Sequence, residues 1–255
     1  MGGSFKDKIE LSRRKKQSSI ILALDLIIND RNVLLTKSFE ILKDVAPYIC
    51  ALKLNHHLIL PLSLYDDVQK LISFAHDLGL PTIMDCKIND IGDTNRVIAR
   101  YYYEAGFDAV IASAFIGWED GLKPVFDLAR QVGKGVILLV YMSHKGAEEG
   151  YGQRVVDLET GEVVMQYKLF ASRALKWGAD GAVVGATFPE KIREIKFMLK
   201  DKVPIYSPGV GAQGGDVERA AEAGSHYLII GRRIFQSSNP AEAAKSFRDT
   251  ASRFL

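Results

Sequence analysis

The stretch "LGLPTIMDCKINDI" (residues 78–91) decides the fold of this chain, because a short apolar run ends there in a cluster of charges. The run follows a glycine and a proline and is too short for a helix, so it predicts a buried β-strand. Asp85, Lys87 and Asp90 come directly after it. Charged side chains destabilise a core unless they are paired or serve a site. The end of this strand is therefore where we first look for function.

Similar apolar runs recur along the chain and alternate with amphipathic stretches. The predicted strands are residues 20–25, 49–54, 81–86, 108–113, 135–142, 181–186, 203–208 and 226–231. Between them, apolar residues recur every three or four positions, which is typical of helices that cover a sheet. The clearest of these helices are predicted at residues 32–45, 64–79, 94–106, 122–133 and 189–200. Several stretches end at glycine, the usual residue just past a helix C-terminus.

Eight strand–helix units in 255 residues predict an α/β fold, a (β/α)8 TIM barrel. An open, doubly wound sheet is the alternative. We expect residues 1–255 to form one domain. Residues 1–18 would be an N-terminal extension whose helix, at 5–17, closes the bottom of the barrel.

One connection is irregular, at residues 145–165. It contains "RVVDLETGEVV" (154–164), which predicts a small hairpin turning at Thr160–Gly161. Long ordered loops at the top of a barrel often act as lids. A passive insertion and a subunit contact are the other interpretations.

Composition narrows the function classes. The formal net charge is +2, so nothing favours nucleic acid or a membrane surface as the partner. The chain has two cysteines, with no CxxC or His/Cys cluster to predict a metal site. Asp25 interrupts the apolar run after "RRKK" (13–16), so we interpret that run as a strand and not as a signal peptide. We expect a cytoplasmic protein.

Alternation along a strand places Asp85 and Lys87 on one face, with Cys86 on the other. If Cys86 packs against the helices, the two charges point into the barrel mouth, where barrel active sites are built. A structural ion pair is the alternative, although desolvation makes a buried pair weak evidence for stability. Asp25 ends the first strand and Lys53 lies within the second. The four form an alternating charge set in which opposite charges favour each other's ionised form.

A second group of residues lies late in the chain. The glycine-rich "SPGVGAQGG" (207–215) follows strand seven and "GRRIF" (231–235) follows strand eight. Loops at these two places often bind phosphate in such barrels, and Arg232 adds a permanent cation. Ser143, after strand five, is placed either to bind a substrate amide or to cap a helix. His144 beside it is interpreted as packed or solvated.

Together these residues resemble the orotidine 5′-monophosphate decarboxylase family in its archaeal-type form. The resemblance runs from "LALD" (22–25) to "GRRIF". "DCKINDI" matches the family motif D-x-K-x-x-D-I, and "MSH" (142–144) and "SPGVGAQGG" match its fifth and seventh loops. Sister enzymes, the magnesium-dependent 3-keto-gulonate 6-phosphate decarboxylases and hexulose 6-phosphate synthases, share D-x-K-x-x-D. A catalytically silent phosphometabolite-binding barrel is the third hypothesis.

The resemblance implies a role for each matching residue. Asp85 would stand against the substrate carboxylate, and Lys87 would stabilise and protonate the C6 carbanion. Lys53 would link the charges and hold the ribose, and Asp90 would enter the site of the neighbouring subunit. The implied substrate-binding residues are Asp25 at the ribose, Thr94 across the dimer interface, Ser143 at the pyrimidine, and Pro208, Gln213, Gly231 and Arg232 towards the 5′-phosphate.

The resemblance also implies the partners. The substrate would be the nucleotide orotidine 5′-monophosphate, converted to uridine 5′-monophosphate in pyrimidine biosynthesis without a metal or other cofactor. The active unit would be a homodimer with shared sites.

Overall fold

Alternating strands and helices follow the hydrophobic pattern of the sequence. The computed structural model describes residues 3–211 and 213–254, so Met1, Gly2, Ala212 in the glycine-rich loop, and Leu255 lie outside the described residues. The strands are β1 (Ile20–Ala23), β2 (Ala51–Asn55), β3 (Thr82–Ile88), β4 (Ala109–Ser113), β5 (Gly135–Tyr141), β6 (Arg154–Val156), β7 (Val163–Met165), β8 (Gly181–Val184), β9 (Ile205–Pro208) and β10 (Tyr227–Ile230). The helices are α1 (Phe5–Lys16), α2 (Arg31–Val45), α3 (His56–Ile59), α4 (Gln69–Asp77), α5 (Gly92–Glu104), α6 (Lys123–Val132), α7 (Ala147–Tyr151), α8 (Gln166–Trp177), α9 (Pro189–Leu199), α10 (Val217–Glu222), α11 (Arg232–Phe235) and α12 (Pro240–Ala251).

Eight parallel strands close into a barrel in the order β1-β10-β9-β8-β5-β4-β3-β2. The ring closes because β1 pairs with both β2 and β10, so the predicted TIM barrel is confirmed and the open sheet is wrong. The remaining strands, β6 and β7, pair antiparallel outside the barrel. Gly161 takes a φ of 75° at their turn, where a side chain would be strained. The hairpin prediction is thus also confirmed.

Helix ends follow local signals, with one difference from the prediction. Asp30 begins α2 by accepting the backbone N–H groups of Asn32 and Val33. The stretch predicted as one helix from residue 64 begins instead as a π-helical turn, Leu64–Val68, before α4. The buried carboxylate of Asp67 in this turn accepts from the backbone N–H of Ser63, the residue that precedes it.

Helix α1 packs under the barrel, at the N-terminal ends of the strands. Phe5 is fully buried against Gly135, the first residue of β5. A Cβ atom at Gly135 would lie 2.5 Å from the ring of Phe5, so the glycine makes room for that ring. In residues 3–211 and 213–254, no helix is long and apolar enough to cross a membrane.

Candidate active site

The C-terminal ends of the barrel strands surround a cavity of about 480 Å³. Every barrel strand contributes an inward-facing residue near its end, which is the outcome of alternating side chains on a closed sheet. These residues are Ala23, Lys53, Asp85, Ile111, Leu139, Val183, Pro208 and Ile229. The cavity therefore has an apolar wall interrupted by charges from two neighbouring strands.

The charged end of β3 departs from a regular strand. Pairing with β4 shifts register between Met84 and Ile88, which marks an irregularity of the bulge type. Lys87 lies there with a φ of 47°, a left-handed backbone that is strained for a residue other than glycine. Asp85 and Lys87 both line the cavity as predicted, but simple alternation is not the whole reason. The irregularity sets the direction of Lys87, and such strain is concentrated at functional sites.

The four predicted charges form a chain of contacts at the cavity floor. The Nζ of Lys53 lies 2.8 Å from Asp85 Oδ2 and 3.9 Å from Asp25 Oδ1. The Nζ of Lys87 lies 2.6 Å from Asp85 Oδ1. Asp85 thus holds one ammonium on each oxygen. The Lys53 side chain is 5% exposed whereas that of Lys87 is 36% exposed, so Lys87 is the more accessible of these two cavity-lining cations.

The opposite charges of Asp85 and Lys53 shift each other's pKa towards the ionised form. Burial acts to raise the pKa of Asp85, but the ammonium groups of Lys53 and Lys87 outweigh it and lower that pKa to about 2. Burial acts to lower the pKa of Lys53, but the carboxylates of Asp85 and Asp25 outweigh it and raise that pKa. At neutral pH the site therefore keeps an ionised Asp85 beside a charged Lys53.

One carboxylate oxygen of these four charged residues has no hydrogen-bond donor among the described residues. Asp25 Oδ1 is buried and accepts no hydrogen bond from any described residue. A buried carboxylate oxygen without a donor is costly, and Asp25 itself lines the cavity with its side chain 28% exposed. A ligand hydroxyl bound to this carboxylate would offset part of that cost.

The other side of the cavity is formed by glycine-rich backbone. Gly209 has a φ of 94°, and a Cβ on it would lie 2.7 Å from Ser143 Cβ and 2.8 Å from Gln213 Oε1. Glycine here lets the seventh loop approach the fifth. Gly231 and Arg232 complete this side of the cavity. Within the described residues the guanidinium of Arg232 has no ion pair, so a cation is left free at this end of the cavity.

Comparison with known proteins decides the family. Residues 18–247 match the family model for Orotidine 5′-phosphate decarboxylase / HUMPS. Orotidine 5′-phosphate decarboxylase of Methanosarcina barkeri is 38% identical over 91% of this chain and 93% of its own length. The chain belongs to this decarboxylase family. The orotidine 5′-phosphate decarboxylase of Thermococcus kodakarensis is 37% identical over 90% of this chain and 95% of its own.

Solved structures of the decarboxylase family share the fold. The orotidine 5′-monophosphate decarboxylase of Methanocaldococcus jannaschii, complexed with the inhibitor BMP, superimposes with a TM-score of 0.75 at 31% identity. The alignment covers 92% of this chain and 98% of that one. The predicted resemblance to orotidine 5′-monophosphate decarboxylase is thereby confirmed, and the sugar-phosphate alternative is not favoured by these relatives. Among the described residues, no three His, Cys, Asp or Glu side chains are grouped to hold a metal ion.

Two predicted residues lie outside this cavity. Asp90 is exposed at the start of α5, where its carboxylate accepts the backbone N–H of Ile91 and its own N–H donates to Asn95. Thr94 is exposed on the first turn of the same helix. Neither lines the cavity of its own chain.

Other lining residues were not predicted. Asn55 lies two residues after Lys53 on β2, so strand alternation alone could have indicated it. His57 and Met142 also line the cavity, but they follow the strand ends, where no periodic signal operates. His144, interpreted as packed or solvated, is exposed at the cavity edge. Residues 145–165, all described, contribute nothing to the lining.

Proposed function

We propose that the chain decarboxylates orotidine 5′-monophosphate to uridine 5′-monophosphate without a cofactor. The observation that carries the proposal is the charge array, in which Asp85 is ionised and Lys87 presents its ammonium to the cavity. The family membership and the archaeal decarboxylases at 37–38% identity support the same substrate.

The chemistry follows from those two groups. Asp85 stands against the substrate carboxylate, and like charges placed together favour its departure as CO₂. The carbon–carbon bond breaks and its electron pair stays on C6 of the pyrimidine ring. A fixed ammonium at that carbon stabilises the charge as it develops. Lys87 then donates its proton to C6 and regains one from solvent.

The remaining residues bind the parts of the nucleotide that do not react. The carboxylate of Asp25 accepts a ribose hydroxyl, and Lys53 holds Asp25 and Asp85 in place. Ser143 binds the pyrimidine amide. Gln213 and Arg232 bind the 5′-phosphate, with Pro208 and Gly231 shaping the wall around it. Binding energy from the distant phosphate can thereby order the reacting end.

An absorbance assay tests the function. Loss of orotidylate absorbance is followed with EDTA present, and the product is identified as uridine 5′-monophosphate. Undiminished turnover in EDTA supports the cofactor-free reaction. Turnover of a sugar phosphate that EDTA abolishes would instead support the magnesium-dependent alternative. Binding of orotidylate without turnover would support a silent binding barrel.

The proposal includes a homodimer with shared sites. Asp90 and Thr94 lie outside the cavity of their own chain and on an exposed surface, from which they can enter the site of a neighbour. In a symmetric dimer, each site would then combine Lys87 of one chain with Asp90 of the other. The connection at residues 145–165 is a lid or a further subunit contact in such a dimer.

Subunit mixing tests the shared site. Lys87→Ala and Asp90→Asn are each expected to be nearly inactive. After exchange, half of the dimers are mixed, and each mixed dimer has one intact site. About one quarter of wild-type activity should return. If exchange is demonstrated by mass and activity stays at the level of the parents, Asp90 acts within its own chain.

We further propose that the chain acts at the end of pyrimidine nucleotide synthesis and that it does so in the cytoplasm. Growth of a uracil-requiring strain that lacks this activity, restored by the chain, tests that placement.

A further inference from the structure

A second cavity of about 530 Å³ opens between α11 and α12, beside the active-site cavity. Arg233, Gln236, Ser237 and Ser246 supply its polar lining. Arg232 lines both cavities, so this residue lies at the boundary between them. The second cavity therefore continues from the end of the active site that is proposed to hold the 5′-phosphate.

Arg232 and Arg233 form a cationic surface that no carboxylate of the described residues neutralises. Among the described residues, neither Arg232 nor Arg233 has a carboxylate within 4.0 Å or donates a hydrogen bond. Arg233 is held in place by packing: its side chain crosses Gly211, where an added Cβ would lie 2.7 Å from Arg233 Cγ. Gly211 has a φ of 74° and belongs to the glycine-rich loop. Arg233 is thus both anchored to that loop and free to bind an anion.

We infer that Arg233 and its cavity bind a second phosphoryl group, so that pyrimidine nucleoside 5′-diphosphates occupy the active site as inhibitors. The inference rests on the proposed function, because the first phosphate must sit at Arg232. Arg232 lines both cavities and Arg233 lines the second, so a ligand whose first phosphoryl group lies at Arg232 can extend its second one into the cavity of Arg233. Gln236 adds a neutral hydrogen-bond donor at the same rim.

The test compares the affinities of uridine 5′-diphosphate and uridine 5′-monophosphate by calorimetry. The variant is Arg233→Met, which keeps an aliphatic side chain over Gly211 and removes the charge. Loss of a charge-assisted contact should weaken the diphosphate about tenfold or more and the monophosphate by less than about twofold. Arg233→Lys should restore part of the diphosphate affinity. Arg193→Ala, at an exposed arginine on α9 that lines neither cavity, is the control and should change neither affinity.

Two outcomes would overturn the inference. An unchanged diphosphate affinity in Arg233→Met means that the second phosphoryl group is not bound there. Equal weakening of both nucleotides means that Arg233 acts only through the first phosphate or the loop. Orotidylate turnover is measured on the same preparations. If the wild-type enzyme is active and either of these outcomes is found, the inference is refuted and the proposed function is not. If the wild-type enzyme binds neither nucleotide and does not turn over orotidylate, the proposed function is refuted.

Discussion

Two aspartates at opposite ends of the barrel each hold several cations, yet only one of them lines a cavity. At the bottom, Asp108 is 1% exposed and both of its carboxylate oxygens have polar partners. Lys8 Nζ lies 2.7 Å from Oδ1, while His76 Nε2 and the backbone N–H of Thr82 lie 2.8 and 2.9 Å from Oδ2. These contacts join α1, α4 and the starts of β3 and β4, so the cluster closes the barrel from below.

At the mouth, Asp85 has similar partners, but the array is not closed. Lys87 is held by a single carboxylate oxygen and lies on a strained backbone. Asp25 keeps a buried oxygen without a donor. The interpretation of a structural ion pair therefore describes Asp108 well and Asp85 poorly. A buried charge cluster becomes a site when it retains unsatisfied groups that face a cavity.

The largest expected effect is on turnover, at the mouth. Lys87→Ala should lower kcat about 10⁴-fold, because it removes both charge stabilisation and proton donation. Binding of uridine 5′-monophosphate should change little, since Asp85 keeps Lys53. The measurement is kcat from single-turnover kinetics, with calorimetry for binding. Lys134→Met, at the bottom cluster, is the matched control and should keep the kcat of the folded enzyme. Near-wild-type turnover in Lys87→Ala would refute the assigned role.

The next largest effect is on the free energy of unfolding, from a substitution at the bottom of the barrel. Asp108→Asn should lower the free energy of unfolding by about 3–5 kcal/mol, because Lys8 and Lys134 are left near an uncharged group in a buried cluster. Urea unfolding measures the loss. The folded enzyme should keep its kcat, since the cluster is at the far end of the strands. If kcat of Asp108→Asn falls as much as that of Lys87→Ala, the claim that only the mouth of the barrel serves catalysis is wrong.

Acid should lower the free energy of unfolding through both Asp85 at the mouth and Asp108 at the bottom of the barrel. The pKa of Asp85 is lowered to about 2, and that of Asp108 is lowered as well, where bonds from His76 and Lys8 outweigh the opposing effect of burial. A lowered pKa gives stability that is present above the unfolded value near 3.8 and lost as pH falls through the folded value. Asp85 alone should account for about 2–3 kcal/mol, lost mainly between pH 4 and pH 2.

Urea unfolding at successive pH values from 6 to 2 measures this acid dependence. Asp108→Asn separates the two ends, because its unfolding free energy should fall less steeply than that of the wild type. Identical slopes for the two proteins would mean that Asp108 is not held ionised by its partners.

The smallest effect concerns a cation, Arg232, that has no ion-pair partner among the described residues. Arg232→Ala should weaken uridine 5′-monophosphate by roughly 1.5–3 kcal/mol and leave uridine nearly unchanged. Stability should be unaffected, because no described residue depends on that guanidinium. Lys8→Ala is the opposite case and should lower stability without altering either affinity. Equal losses for nucleotide and nucleoside in Arg232→Ala would contradict the phosphate assignment.

The sequence alone determined the repeating elements and the family. Short continuous apolar runs in strands, and apolar residues every three or four positions in helices, are local features, and the runs predicted all eight barrel strands. Strand alternation predicted Asp85 and Lys87 at the mouth, position after a strand predicted Ser143 and Arg232, and the family resemblance added Gln213; all of these line the cavity. These features depend on neighbouring residues, so they can be read without the fold.

Only the tertiary structure decided how those residues meet. The left-handed backbone of Lys87 arises where β3 shifts register against β4, a property of two strands together. The contact of Lys8 with Asp108 joins residues 100 positions apart, and the boundary role of Arg232 depends on two cavities. Such contacts follow from how the whole ring closes and packs. No local pattern encodes them, because their energy depends on side chains that are distant in the chain and close only after folding.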